Sequence, residues 1–422
     1  MGGNYQLVVD MNHQPDGDDN KRDTIDVRVL PVGRVQVFVN NQLLHEDVIS
    51  TNIARGIDSI RIIGSSDQDV ITLPGSFRRP VFIEDKTGLD AVIIDDSNTG
   101  NANRTDIEIA HDYVKLNSPG GIMRVGFVYQ IGSVTVRANT PTSGGNTITV
   151  LDTPRHAKSS VTVFTGGGSD QVAVQRTSRP LTIHGQAGQD TVTVGQFNSL
   201  ANIKGSLGVT NAEGSTELNL NASADGARTV KMDYALGFND ITGLAPASIL
   251  CSDVGIRGVN INTGAGKDTF NIKYVSVPMT IRSGGEVDTA NVDIVTSTAP
   301  LYLDLGPGRN LANFGLQYGL DEIQAFVQLR AEGGGTNIVY LDDSKERSAT
   351  TATLAGSAYL RQGSAPIAMA DLDTLLIRGG SGGNTYFIND TPPKCLHHAL
   401  QRQGQRLRLG PGDHRLPLPR FR

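Results

Sequence analysis

Two pairs of adjacent carboxylates, Asp95–Asp96 and Asp342–Asp343, have the spacing that could support general acid–base chemistry. Hydrolysis of a glycosidic bond needs two carboxyl groups about 5–10 Å apart, one to give a proton and one to attack or to activate water. Both pairs, however, sit in a recurring strand-closing motif. I-I-D-D-S (93–97) and Y-L-D-D-S (340–344) stand beside V-L-D-T-P (150–154) and I-N-D-T-P (388–392). An Asp that recurs at a strand end is expected to cap a turn with its short side chain. A lyase would need calcium-binding acids and a basic residue beside the sugar; Arg124 and Arg282 are candidates for the base, and no motif marks either. Aromatic platforms for sugar rings are thin: Tyr129, Tyr302 and Tyr340 are scattered and there is no Trp.

Metal and nucleophile chemistry has less support. His111, His156 and His184 stand alone, without H-x-x-x-H or C-x-x-C spacing, and each is expected at the surface. Cys251 in S-I-L-C-S-D has apolar flanks and reads as a small core filler. The turns G-Q-A-G-Q-D and G-A-G-K-D-T lack the G-K-[ST] that opens a helix in a phosphate-binding loop, and a strand follows them instead.

The elements that would carry these residues form an internal repeat, in which a short alternating strand, a Gly-rich turn with Asp or Asn and a second alternating strand recur. The clearest copies are L-T-I-H-G-Q-A-G-Q-D-T-V-T-V (181–194), V-N-I-N-T-G-A-G-K-D-T-F-N-I (259–272) and M-T-I-R-S-G-G-E-V-D-T-A-N-V (279–292). Weaker ones begin at Ile60, Val161 and Leu301. From Val161 to Leu181 is 20 residues, from Val259 to Met279 is 20 and from Met279 to Leu301 is 22, so each interval is one coil of a solenoid. Val, Ile and Leu at alternate positions turn one side of each strand inward. Stacked coils then bury together what no single coil could bury alone. Asp170, Asp190, Asp268 and Asp288, with Asn310 in the same slot, can accept hydrogen bonds from turn amides. Aliphatic ladders replace aromatics, which accounts for 49 Gly but only 5% aromatic residues in 422.

These G-x-G-x-D turns followed by alternating Val and Thr resemble the Gly-Asp repeats of bacterial secreted and surface β-solenoid proteins. The likeness is strongest to large extracellular β-strand-repeat proteins of planctomycete-like bacteria, and it covers about 57–390. The RTX calcium-binding family is a more distant likeness. Its nine-residue unit lets Gly carbonyls and Asp carboxylates of adjacent turns share calcium. Here the interval is about 20 residues and several slots hold Asn, so the resemblance leaves isolated calcium candidates at Asp190, Asp268 and Asp288 rather than shared rows.

The formal charge of −6 hides two unlike parts. Residues 391–422 hold seven basic residues against one acid, Asp413, leaving −12 over 1–390. Such an acidic body argues against nucleic acid, whose phosphates demand a basic face. No apolar run reaches the roughly 18 residues of a membrane span. Two cysteines are too few for a disulfide framework. The N-terminus lacks a basic region followed by an apolar stretch, so the expectation is a fragment whose export signal lies elsewhere. Residues 391–422 abandon the repeat for Leu, Arg, Gln, His and Pro. Shifted by one nucleotide from His397, their codons permit I-T-L-S-N-G-K-G-N-D-F-V-S-V, which aligns with 181–194. The tail is therefore read as out of frame, with the true protein continuing beyond it. An in-frame, reproducible DNA sequence at codon 391 would overturn that.

The fold expected is all-β: a parallel β-solenoid over 59–390 with an N-terminal β-rich cap over 1–58. No window carries a convincing helical stripe; 320–331 comes nearest and fits strand alternation as well. Roughly a dozen coils at about 4.8 Å would span some 50–60 Å. The function expected is a non-enzymatic extracellular or cell-surface module, structural or adhesive, meeting surface polysaccharide or other surface proteins. Its alternatives are a carbohydrate-active β-helix of lyase or hydrolase type and a calcium-dependent exported repeat protein.

Overall fold

A computed structural model describes residues 5–13, 21–30, 33–48, 57–85, 87–97, 105–119, 121–129, 131–154, 158–331, 335–392, 395–400 and 406–409. The chain is all-β, and its strands stack mostly in parallel as a β-solenoid. Among the described residues the helical elements are single 3-10 turns, and no helix is long and apolar enough to cross a membrane. The chain divides into two compact units. One comprises Met1–Gln196, Ala201–Leu218 and Ala247–Gly255; the other comprises Phe197–Leu200, Asn219–Pro246 and Ile256–Arg422.

In the first unit, one sheet runs through Val70–Pro74, Ala91–Asp95, Ser133–Arg137, Val161–Phe164, Leu181–Gly185 and Leu207–Asn211, each parallel to the next. Val161 pairs with Leu181, so the 20-residue interval in the sequence is the strand register. Val161, Val163, Leu181 and Ile183 are buried while Thr162 and Thr182 face outward half-exposed. That is the period-2 alternation turned into a core of aliphatic ladders. At the N-terminal side of this sheet Thr24–Leu30, Arg34–Val39 and Gln42–Val48 form an antiparallel meander whose first strand pairs in parallel with Val70–Pro74. The second hairpin turns through Asn40 and Asn41 at φ 49° and 64°, values that Asn tolerates better than β-branched residues.

The other sheet of this unit contains an insertion that the repeat does not announce. Pro80–Glu84 pairs in parallel with Gly121–Phe127, which runs antiparallel to Tyr113–Ser118. That strand is antiparallel to Asp106–Ile109, which returns to parallel pairing with Thr147–Val150. Two reversals add strands without changing the direction of the coils.

The second unit repeats this plan. Ile256–Thr263, Met279–Arg282, Leu301–Asp304 and Val327–Arg330 stack in parallel, with Val259 on Met279 and Met279 on Leu301 as the spacing requires. Val327–Arg330 then meets Ile367–Met369, and Ala358–Arg361 and Thr351–Ala355 follow antiparallel before Thr385–Ile388 resumes the parallel order. Its facing sheet runs from Thr229–Ala235 through Thr269–Ile272, Thr289–Val292 and Leu311–Phe314 to Ile338–Asp342 and Thr374–Arg378. Over 320–331 the helical turn is confined to Leu320–Glu322, and Val327–Arg330 is a strand. Two segments of the tail, Leu396–Leu400 and Arg406–Leu409, pair in parallel on Thr374–Arg378 and Thr385–Ile388.

The corners are tight. A Cβ placed on Gly306, which has φ 58°, would lie 1.7 Å from the Gly284 carbonyl oxygen of the preceding coil. Only glycine permits that approach at a positive φ.

Candidate functional site

The turn aspartates are placed first by their backbone and then by the neighbouring coil. Each closes a Gly-rich corner at the start of a strand, just before it for Asp170, Asp268 and Asp288 and within its first two residues for Asp190, with its side chain buried. The Asp170 Oδ1 accepts the backbone N–H of Asn146 at 2.5 Å, and Asp190 Oδ1 accepts that of Asp170 at 3.0 Å. In the second unit Asp268 accepts from Arg228 (2.6 Å), Asp288 from Asp268 (2.8 Å) and Asn310 from Asp288 (2.9 Å). Asn337 then accepts from Asn310 (3.3 Å), and Asp373 from Asn337 (2.8 Å). Nearer the N-terminus Asp69 accepts from Asp23 and Asp90 from Asp69. The turn amides are therefore those of the preceding coil, and the side chains form a ladder parallel to the backbone ladder. The sequence placed the acceptors correctly but not their donors.

Asp170, Asp190, Asp268 and Asp288 are all fully buried. The calcium candidates Asp190, Asp268 and Asp288 each spend Oδ1 on a rung. Their second oxygens differ: Asp190 Oδ2 faces the Asn211 amide at 3.2 Å, and Asp288 Oδ2 accepts from the Ser283 hydroxyl at 2.6 Å. Asp268 Oδ2 has no hydrogen-bond partner. Among the described residues no group of three or more His, Cys, Asp or Glu is placed to hold a metal ion.

Burial raises Asp90, Asp170, Asp268 and Asp288. It pushes Asp90 up to about 8, helped by the Asp85 and Asp69 carboxylates and opposed by the hydrogen bond from Asp69 N–H. Asp170 is pushed to about 7 by burial and by Asp190, and Asp288 to about 6 by burial, Asp268 and Glu286. A neutral carboxyl still accepts a rung through its carbonyl oxygen, which makes protonation compatible with the ladder.

The carboxylate pairs do not act as pairs. Asp95 and Asp342 cap their own turns by accepting the N–H of Ser97 (3.0 Å) and Ser344 (2.8 Å), as the repeated motif implies. Asp96 turns into the interior, where it accepts from Thr105 Oγ1 at 2.9 Å and meets Arg78 at 3.3 Å. Asp343 is buried and accepts a two-pronged contact from Arg361 Nε (2.8 Å) and Nη2 (3.0 Å). Arg361 also binds Asp321 and lies 3.7 Å from Glu346, so one buried guanidinium holds three carboxylates. Nothing in the sequence singled out Arg361.

The other flagged residues are dispersed. Cys251 is buried in Ile249–Ser252 beside Val209. His111 is exposed next to Asp112, and His156 lies outside the described residues. His184 is half-buried rather than free at the surface. It stacks on Phe164 with centroids 4.7 Å apart, and its Nδ1 is 2.8 Å from Thr210 Oγ1. Arg124 lies over the Tyr113 ring at 4.3 Å, while the Tyr113 hydroxyl donates to Glu108 at 2.5 Å. Tyr129 is exposed and Tyr340 half-buried.

One flagged pair is brought together. On the outer face of the second unit, a groove of about 350 Å³ is lined by Thr280, Arg282, Tyr302, Asp304, Gln328 and Arg330. They come from the second and fourth positions of M-T-I-R (279–282), L-Y-L-D (301–304) and V-Q-L-R (327–330). Parallel register aligns Thr280, Tyr302 and Gln328 in one row and Arg282, Asp304 and Arg330 in the next. Tyr302 is 39% exposed, and its ring is braced edge-on by Phe326, centroids 6.3 Å apart. The Asp304 Oδ1 accepts the N–H of Gly306 at 3.2 Å, and Asp304 makes no ion pair with Arg282. Arg282 and Tyr302 were visible singly in the sequence; their convergence was not. The signal that could have joined them is the third copy, hidden by its 26-residue interval from Leu301 to Val327.

No protein-family model matches the chain, and no curated protein matches it in sequence.

Proposed function

We propose that this chain is a non-enzymatic extracellular or cell-surface β-solenoid module with a structural or adhesive role. The observation that carries the reading is where the acids go. The turn carboxylates are committed to the N–H groups of neighbouring coils, and the paired carboxylates cap turns or hold the half-buried Arg78 and the buried Arg361. Chemistry-bearing side chains are thus spent on stacking, which supports a surface that spaces and displays rather than one that reacts.

A carbohydrate-active β-helix is the second reading, and the groove around Tyr302 is what favours it. Of the six side chains above, Asp304 is the single acid, whereas hydrolysis needs two carboxyls about 5–10 Å apart. The groove fits a sugar that is held better than one that is cut.

The calcium-dependent alternative gives a direct test. Far-UV circular dichroism and thermal melting of the full chain, first in EDTA and then in millimolar calcium, should give the same β signal and the same midpoint. A cooperative melt that appears only with calcium would make the turn aspartates ligands and put the calcium-dependent reading first.

A further inference from the structure

We infer that the groove formed by Thr280, Arg282, Tyr302, Asp304, Gln328 and Arg330 is a binding subsite for an acidic, uronate-bearing polysaccharide. The inference rests on the adhesive reading above and gives it a ligand class.

Arginine supplies the charge in the form that recognises carboxylates. Its planar fork can donate two parallel hydrogen bonds to one carboxylate. Among the described residues Arg282 makes no side-chain hydrogen bond or ion pair, so its fork is open to a ligand. Arg330 is steadied by Gln328: in the amide orientation that satisfies both groups, the Gln328 oxygen accepts from Nη2 and Nε at 3.2 Å. The Tyr302 ring, held edge-on by Phe326, offers a partly exposed face to the apolar side of a pyranose.

Spacing points to a polymer. Arg282 and Arg330 lie in one register row with Asp304 between them, two coil steps of about 4.8 Å apart. That step is close to the length of one pyranose in an extended chain. A polysaccharide laid across the strands can therefore place a carboxylate on the Arg282 fork while the next sugars cross the row at Asp304 and at the positive charge of Arg330, whose Nε and Nη2 face Gln328. Asp304 also orients the sugar that crosses it. Its carboxylate repels any anion placed between the arginines, a phosphate or the carboxylate of the intervening uronate alike, so that sugar turns its carboxylate away and offers hydroxyls, from which Asp304 accepts hydrogen bonds.

The experiment is affinity electrophoresis of the full chain in native gels that contain polygalacturonate or, separately, neutral dextran. Retardation by polygalacturonate alone is expected, and added salt should weaken it. Arg282→Ala and Tyr302→Ala should each weaken it by about tenfold, with Arg282→Lys in between. Both positions are solvent-facing, and circular dichroism of each variant confirms an unchanged fold. No retardation, equal retardation by dextran, or retardation that survives both alanine variants overturns the inference and leaves the structural module standing. Release of reducing or unsaturated sugar ends from polygalacturonate would instead overturn the non-enzymatic reading while keeping the ligand class.

Discussion

Arg361→Ala should cost the second unit about 3–5 kcal/mol, the range for removing one partner of a buried ion pair. Arg361 is 4% exposed and Asp343 1% exposed. Without the guanidinium, Asp343 would be an ionised or protonated carboxyl enclosed in protein, with Leu320 N–H at 3.4 Å as a remaining contact. Asp321 and Glu346 would lose the charge they converge on. The location magnifies the effect. Arg361 sits at the end of Ala358–Arg361, the middle strand of the antiparallel insertion, while Asp343 and Asp321 belong to segments flanking the coils. The cluster thus pins the insertion to the coils around it. Because the cost comes from the stranded charge, the double variant Arg361→Met with Asp343→Leu should recover most of the loss. Urea unfolding followed by circular dichroism measures both. A loss below about 1 kcal/mol for Arg361→Ala would place the cluster among solvated surface pairs and defeat this account.

Thermal stability should fall as pH rises from 5 to 8, against the common behaviour of carboxylate-rich proteins. The sign follows from the ladder. Folded values of about 8 for Asp90, 7 for Asp170 and 6 for Asp288 lie above the roughly 3.9 of an unfolded Asp. The folded chain therefore holds more protons than the unfolded chain between these values. The contribution of each group is fully present below about pH 4 and is lost as pH rises through the folded value. Each carboxyl adds a slope of at most about −1.4 kcal/mol per pH unit within its own window. Asp90, with the widest window, dominates. Asp90→Asn keeps an acceptor for the Asp69 amide but cannot ionise, so it should flatten the pH profile and raise the melting temperature at pH 8. Asp90→Ala removes the acceptor and strands a buried N–H, at a cost of about 2 kcal/mol at any pH. A melting temperature that is flat or rises between pH 5 and 8 in the parent chain would show that these acids are ionised in the fold. The chain already contains the Asn version: Asn146, Asn310 and Asn337 occupy ladder slots alongside the aspartates.

Periodicity carried far into the structure. The spacing of Val161, Leu181, Val259, Met279 and Leu301 is the observed strand register because a parallel stack must place equivalent residues one coil apart. The recurring Asp slot was equally legible, since its position beside a Gly corner is local. What the slot contacts was not, because the donor lies a full coil earlier. The insertions at 106–127 and 351–369 were hidden for a related reason. A strand that reverses keeps its period of two, and a hairpin turn through Ser357 beside Gly356 resembles a coil corner. Arg361 was invisible because it lies in one of those insertions. The groove was invisible because Val327–Arg330 follows Leu301–Asp304 by an interval longer than the repeat, so Arg330 was never placed in the row of Arg282 and Asp304.

Among the described residues, each rung of the turn Asp and Asn ladder given above has its donor earlier in the chain and its acceptor later. Asn146 waits for Asp170, Asp170 for Asp190, Asp268 for Asp288 and Asp288 for Asn310, across separations of 24, 20, 20 and 22 residues. The order has a temporal meaning for a chain delivered N-terminus first. Each arriving coil supplies the oxygen that its predecessor lacks and leaves its own amide for the next. Along these runs the sequence separation to be closed stays near one coil; it lengthens where other segments intervene, to 46 residues from Asp23 to Asp69, 40 from Arg228 to Asp268 and 36 from Asn337 to Asp373. Long parallel sheets are ordinarily slow to assemble because their partners are far apart along the chain. Here the stack can grow in the direction in which it is translated, one loop closure at a time.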